Sequence, residues 1–378
     1  MYKVVKKKKI FNYGIGFFIL LILLIIAKAA MPYVLPVDSG VTYSNNQVSE
    51  REGLLLNFID SKLTNKEGGI KTNYKNIKSE GDITKGDAVL SESEGMMLLY
   101  YLERDDQESF NKTLKYIEDY MILPNHLVSW RVTGTEKTKT SATIDDLRIV
   151  KSLLLANERW VDFKYRKLAI SISRAIKEDL LDQSLLSDFN DGYNKSDVTT
   201  LCYIDLPTMK YLSNIDYNWK KIYGASLKLL DGGYISNEVP LYRKAYDRKT
   251  RKYDDENVDT LLSLICILNK AEVSQDVSTS VNWLTEKLKK DGAIYATYNP
   301  STGKGTSDIQ STSIYSLLVR IGSKTGNQDL YNIALKKLKE FQVMDKNSAI
   351  YGGYGDTKTL QVYSFDNLNA LLAYRDIR

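Results

Sequence analysis

The chain has 378 residues, 52 Lys and Arg against 47 Asp and Glu, a single His and a formal net charge of +5. Five of the positive charges (Lys3, Lys6, Lys7, Lys8 and Lys9) come before any acid, and without them the signs balance at 47 each. Nothing therefore points to a basic nucleic-acid-binding domain. A hydrophobic content of 43% with 26% charged residues excludes wholesale disorder. Two cysteines, Cys202 and Cys266, cannot form a disulfide framework or a multi-Cys zinc site and are read as buried free thiols. With His126 the single histidine, no His-ligated metal cluster is expected, no cofactor is called for, and proton transfer falls to carboxylates.

Residues 1–9 read as a basic tail. Residues 10–27, IFNYGIGFFILLILLIIA, carry no charge. As a helix they span about 27 Å, close to the thickness of a bilayer core. Residues 10–30 are read as a transmembrane helix with the lysines on the cytoplasmic side and the rest of the chain outside. A cleaved signal peptide is the alternative, because Ala27-Lys28-Ala29 resembles a cleavage site. No cysteine lies nearby to accept a lipid. Residues 31–48, with Pro32, Pro36, Ser44, Asn45 and Asn46, read as a polar linker, and 49–378 as one domain.

From about residue 50 the pattern predicts twelve helices, starting near Glu50, Glu92, Gln107, Thr143, Phe163, Thr199, Tyr217, Asn257, Val277, Gln310, Asn327 and Ser364. They alternate in kind. One kind is Glu/Lys-rich on its polar face, as in LYNIALKKLKEFQV; the other opens on small polar or acidic residues and then runs almost wholly apolar, as in NVDTLLSLICIL. The second kind starts near 92, 143, 199, 257, 311 and 364, with spacings of 51, 56, 58, 54 and 53 residues. A period of one helical hairpin marks a repeat architecture. The last unit is as apolar as the middle ones, whereas an open solenoid needs a polar cap. We therefore expect an all-α chain closed into an (α/α)6 barrel of six hairpins, with the starts of the inner helices gathered around one cleft.

Acids recur at those starts: Glu92 and Glu94 in SESEG, Asp145 and Asp146 in ATIDD, Asp205 in TLCYIDL, and Asp254, Asp255 and Glu256 in KYDDEN. One acid at a helix N-terminus is explained by the macrodipole and free N–H groups. Four successive clusters would crowd like charges into one cleft, raising some pKa values as acid–base chemistry requires. Aromatics accompany them: Trp130, Tyr203, Tyr253 and the Tyr351–Tyr354 loop. Flat rings beside carboxylates suit sugars, whose C–H faces stack while their hydroxyls hydrogen-bond.

Residues 142–160, ATIDDLRIVKSLLLANERW, resemble the signature segment of glycoside hydrolase family 8, A-T-D-[AG]-D followed by an apolar helix. SESEGMMLL is similar to that family's general-acid segment SEGQGYGMLL, SWRV around Trp130 and Arg131 to its sugar-stacking segment, and KYDDENV, more weakly, to its YDA-x-R base segment. The order and spacing of the four agree. The resemblance implies an (α/α)6 barrel and inverting hydrolysis of β-1,4-linked polysaccharide, with Glu92 as general acid and Asp254 as base. Trp130, Arg131, Asp145, Asp146, Tyr203, Asp205 and Tyr253 are then the expected substrate contacts. The departures are Ile144 where the family has an Asp that holds the reacting sugar, Ser93-Glu94 for Gly-Gln, and Asn257 for Arg. Export and a membrane helix resemble family members of bacterial exopolysaccharide loci, which implies a polysaccharide substrate, a monomer at the cell membrane and the polymer's synthesis machinery as a partner. Two other readings stay open: a non-catalytic glycan-binding scaffold on the same barrel, and another α/α toroid such as a polysaccharide lyase using Arg131, Arg243 or Lys244.

Overall fold

The computed structural model describes residues 2–43, 47–75 and 86–376, with side chains from Phe17 onward. The side chains of the five N-terminal lysines, and Ser44, Asn45 and Asn46 of the expected linker, lie outside the described residues.

Helix α1 (Tyr2–Val34) comes first, and its apolar stretch Phe17–Val34 is long enough to cross a membrane, with none of it buried against the rest of the protein. Twelve helices follow among the described residues. The outer ones are α2 (Glu50–Phe58), α4 (Gln107–Tyr116), α6 (Phe163–Ala175), α8 (Tyr217–Gly232), α10 (Ser278–Asp291) and α12 (Gln328–Phe341). The inner ones are α3 (Ser91–Glu103), α5 (Thr143–Trp160), α7 (Leu206–Ile215), α9 (Thr260–Glu272), α11 (Thr312–Thr325) and α13 (Ser364–Arg375). α3 packs on α5, α5 on α7, α7 on α9, α9 on α11, α11 on α13, and α13 returns to α3. The inner ring closes, so the domain is an (α/α)6 barrel.

The sequence pattern accounts for the two layers. α12 buries Leu330, Tyr331, Ala334 and Leu338, a single stripe at helical spacing, and leaves its lysines in solvent. α3 buries Ser91, Ser93–Leu98, Tyr100 and Leu102, residues from every side of the helix. Side-chain oxygens of Asp106, Asp162, Asp205, Asp216 and Asp259 accept first-turn N–H groups and set the starts of α4, α6, α7, α8 and α9. α11 and α12 approach most tightly at Gly322, where an added Cβ would lie 2.7 Å from the Tyr331 backbone nitrogen.

Two sets of hydrogen bonds fix the mouth of the barrel. In the first, the N–H at the start of an inner unit donates to a carbonyl of the next unit: Ser91 to Trp130 (3.1 Å), Thr143 to Asp188 (2.9 Å), Leu201 to Lys244 (2.8 Å), Thr260 to Ala296 (3.0 Å) and Ser364 to Thr72 (2.9 Å). The last bond joins the final unit to the first. In the second, the fourth residue of an inner helix accepts an N–H from the loop before it: Glu94 from Ile70 (2.7 Å), Asp146 from Val128 (2.8 Å), Ser263 from Tyr242 (2.9 Å) and Asn367 from Tyr354 (2.8 Å).

Three expectations need correction. The third inner helix does not start at Thr199. Val198–Thr200 is a strand paired with Ala245–Asp247, a short 3-10 turn follows, and the helix begins at Leu206 behind the Asp205 cap with Pro207 in its first turn. β-branched residues that find a partner strand override the helical periodicity. The inner helices are also not apolar all round: Lys151 lies 2.6 Å from Glu272, and Arg320 links Glu272 (3.5 Å) to Asp376 (3.2 Å). The linker, finally, is no free stalk. Arg166 donates to the carbonyls of Pro32 (2.7 Å) and Leu35 (2.5 Å), Asn214 to that of Val37 (2.7 Å), Ser39 bonds Glu158, and the Arg159 guanidinium lies 3.9 Å from the Tyr43 ring. Val37 is part of the buried core.

Candidate active site

The first turns of α3 and α5 lie side by side at the barrel mouth. Ser91 and Asp145 join them, the Ser91 hydroxyl donating to Asp145 Oδ2 at 2.8 Å. Arg148, one turn further along α5, donates from Nη1 to Asp145 Oδ1 at 2.8 Å. Its aliphatic stem lies over Gly95, where an added Cβ would sit 3.1 Å from Arg148 Cδ. Glu92 is half-buried beside this group. Burial raises its pKa from 4.5, the Asp145 charge raises it further and Arg148 opposes, for a result of about 7. A carboxylic acid that keeps its proton near neutrality is what a general acid must be.

Trp130, Arg131 and Tyr203 come close to this group, while Asp254 is fixed on a separate hairpin. The Trp130 carbonyl accepts the Ser91 N–H, which sets the Trp130 backbone against the residue before Glu92, and its side chain is half-exposed. Arg131 is paired with Leu90 across the strand, and its buried Nε has no partner among the described residues. Tyr203 is half-buried near Asp145 and Glu92, whose charges add to burial in pushing its phenol upward. Asp254 sits at the end of the hairpin formed by Ala245–Asp247 and Lys252–Tyr253. Its Oδ2 accepts the Ala245 N–H at 2.6 Å, and Oδ1 has no partner among the described residues.

Three expected contacts, and Tyr354 of the aromatic loop, are engaged in other bonds. Asp146 is fully buried, and its role is the bond to Val128 N–H that holds the loop leading to Trp130. Asp205 caps α7 by accepting the Thr208 N–H at 3.0 Å. The Tyr253 hydroxyl donates to the Leu229 carbonyl at the end of α8, and its ring covers Gly232 and Gly233. Tyr354 is buried and bonds Tyr374 at 3.0 Å. Each makes a bond that holds the fold.

Two residues of the site escaped the sequence reading. Arg148 is one. The other is Asp188, half-buried near Tyr203, which accepts the Thr200 N–H (2.6 Å) and hydroxyl (2.7 Å). A signal for it existed: Leu127-Val128-Ser129-Trp130 and Leu185-Leu186-Ser187-Asp188 occupy the same repeat position, each ending on the residue whose carbonyl receives the N–H that starts the preceding inner helix.

Residues 63–238 match the family described as glycosyl hydrolases family 8, a span that holds Glu92, Trp130, Asp145 and Arg148 and stops short of Asp254. A solved structure described as a novel alpha-amylase from Clostridium perfringens is 49% identical to this chain, with a TM-score of 0.84 over 86% of this chain and 97% of that one. The chain belongs to glycosyl hydrolase family 8. It is therefore a glycoside hydrolase. Further relatives of this family 8 chain include YdaJ of Bacillus subtilis (strain 168), 28% identical over 330 residues, 85% of each chain. Among solved structures, PssZ of Listeria monocytogenes is 21% identical with a TM-score of 0.66 over 89% of this chain and 96% of its own. The endoglucanase Cel10 of Klebsiella pneumoniae is 16% identical with a TM-score of 0.61 over 86% of this chain and all of its own. These two support the barrel and nothing finer.

Proposed function

We propose that the protein is a membrane-anchored extracellular enzyme that hydrolyses a β-linked, and by preference β-1,4-linked, exopolysaccharide with inversion at the anomeric carbon. The observation that carries this reading is Glu92: a half-buried carboxyl at the mouth of the barrel, beside the tethered Asp145, whose proton is retained up to about pH 7. Glu92 gives that proton to the glycosidic oxygen as the bond breaks. Asp254 takes a proton from a water, which attacks the anomeric carbon from the opposite face. The free Oδ1 of Asp254 suits this role, since the other oxygen is already held by Ala245. Such a pair works at a carboxyl separation of about 6.5–9.5 Å, which leaves room for the water. Trp130 stacks on a neighbouring sugar, and Arg131, Tyr203 and the Asp145–Arg148 pair contact hydroxyls. One barrel supplies both carboxylates, so a monomer suffices. The anchor helix supports a substrate made at the same membrane.

A second reading has its own support. The relative at 49% identity is described as an amylase, which favours an α-linked glucan. One experiment addresses both: digestion of β-1,4-glucan, chitosan, xylan, α-1,4-glucan and the host's own exopolysaccharide by wild type and Glu92→Gln, with the anomer of the first product read by NMR. We expect cleavage of a β-linked polymer with inversion and at least about a 100-fold loss in the variant, the scale of general-acid catalysis. Full activity in Glu92→Gln overturns the assignment of the acid, and cleavage confined to α-1,4-glucan overturns the linkage.

A further inference from the structure

The chain leaves α1 and meets the barrel within one turn. Residues up to Met31 of the apolar helix are exposed, whereas Tyr33 packs on Phe163 with ring centroids 6.0 Å apart and lies 5.4 Å from the Arg174 guanidinium. Arg166 grips the carbonyls of Pro32 and Leu35. Phe163 opens α6, directly after the C-terminal end of inner helix α5, so this contact lies at the end of the barrel opposite the cleft. The following residues continue along that end through Asn214, Glu158 and Arg159.

Around this exit the surface is apolar and basic. Val161 is 85% exposed and Phe163 56% exposed. Lys164 and Lys167 are exposed on the first turns of α6, with Asp162 3.4 Å from Lys164. Val161 also holds a left-handed backbone, φ 55°, as the C-cap of α5. Glycine or asparagine is the stable choice there, and a β-branched residue is strained. An apolar, strained and solvent-facing valine adds nothing to the fold. It makes sense where its side chain leaves water.

We infer that the end of the barrel opposite the cleft rests on the bilayer, with Val161 and Phe163 entering the headgroup region and Lys164 and Lys167 facing anionic lipid phosphates. The occupant of this surface is set by continuity: the helix that crosses the membrane ends in contact with Phe163. Apolar side chains flanked by lysines are the pattern of an interfacial contact. The cleft then opens away from the membrane. Since α5 has 18 residues, its mouth stands about 27 Å farther out than that surface, positioned for a polymer already released from the bilayer rather than for a sugar still attached to lipid.

This inference rests on the anchor proposed above, and its test separates the two. The full chain carrying Phe163→Cys, Val161→Cys or, at the cleft end, the 83% exposed Tyr193→Cys is labelled with a nitroxide. The native thiols Cys202 and Cys266 are buried. The labelled chains are placed in phosphatidylcholine–phosphatidylglycerol vesicles, and collisions with oxygen and with a water-soluble nickel chelate are measured. Expected are a loss of nickel collisions with a gain of oxygen collisions at 161 and 163, and full nickel access at 193. If the chain does not float with the vesicles, the anchor fails and the inference with it. If it floats and all three labels are equally accessible to nickel, the anchor stands and the inference is overturned.

Discussion

Glu94 gives the sharpest test of how the two acids of SESEG divide their work. It is fully buried, with Oε1 accepting the Ile70 N–H at 2.7 Å and Oε2 without a partner among the described residues. Burial raises its pKa from 4.5 to about 8, and the bond from Ile70 offsets only part of that. Between these two values the folded state holds a proton that the unfolded state has lost. The stability contributed by Glu94 is therefore complete below pH 4.5 and declines as the pH rises to about 8. The slope is about 1.4 kcal/mol per pH unit, which over this window amounts to about 5 kcal/mol as a ceiling. Glu94→Gln keeps the acceptor for Ile70 and has no proton to lose. Any cost from its buried amide donor is constant with pH. We expect the stability of the variant relative to wild type to rise steadily from pH 4.5 to 8, in urea titrations followed by intrinsic fluorescence in mild detergent. Activity at pH 6 should be close to wild type, because the side chain faces Ile70. A stability difference that stays flat across this range would refute the assignment of Glu94 as a buried neutral latch.

Two further outcomes follow from the same geometry. Asp145→Asn removes the charge that raises Glu92 and frees Arg148, so the alkaline limb of kcat/KM against pH should move below its wild-type position near 7, while Arg148→Met should move it above. Gly322→Ala would place a methyl 2.7 Å from the Tyr331 backbone nitrogen, which cannot move aside as a side chain can. It should cost about 1–3 kcal/mol and lower Tm by several degrees in thermal unfolding, with kcat unchanged.

The architecture was legible because a closed barrel of hairpins writes its period into the sequence. Ten of the twelve expected starts fall within two residues of the observed helices. The exceptions, Thr199 and Asn257, lie within and just before short strands, Val198–Thr200 and Val258–Asp259, whose partners lie far along the chain. Pairing of that kind carries no local periodicity. The site was legible in part. Which acids line the cleft depends on position within the first turn, and the helix geometry already contained the answer. Residues 92 and 94 differ by about 200° around a helix and cannot share a face. The repeats Ser91-x-x-Glu94, Thr143-x-x-Asp146, Thr260-x-x-Ser263 and Ser364-x-x-Asn367 place Glu94 and Asp146 where other units use an uncharged acceptor. Recurrence of acids at the inner starts was real, but half of it served the loops.

That division bears on the departure at Ile144. In a helix, moving a carboxylate by one position turns it about 100° around the axis. Asp145 thus cannot stand where the family's Asp stands, and the bonds from Ser91 and Arg148 account for where it does point. Both of its oxygens are occupied by these partners, so it meets a sugar only together with the Arg148 guanidinium. A lone carboxylate accepts hydrogen bonds from hydroxyls; an ion pair offers an acceptor and a donor at once. On the proposed reading, the family's sugar-holding Asp is replaced by a pair with different hydrogen-bonding demands, next to Glu92, whose protonation the same pair shifts. The chemistry of acid catalysis is compatible with that exchange, while selectivity for the sugar is not expected to survive it unchanged. Among all the differences from the family pattern, this is the one placed to alter which polymer is cut without removing the capacity to cut.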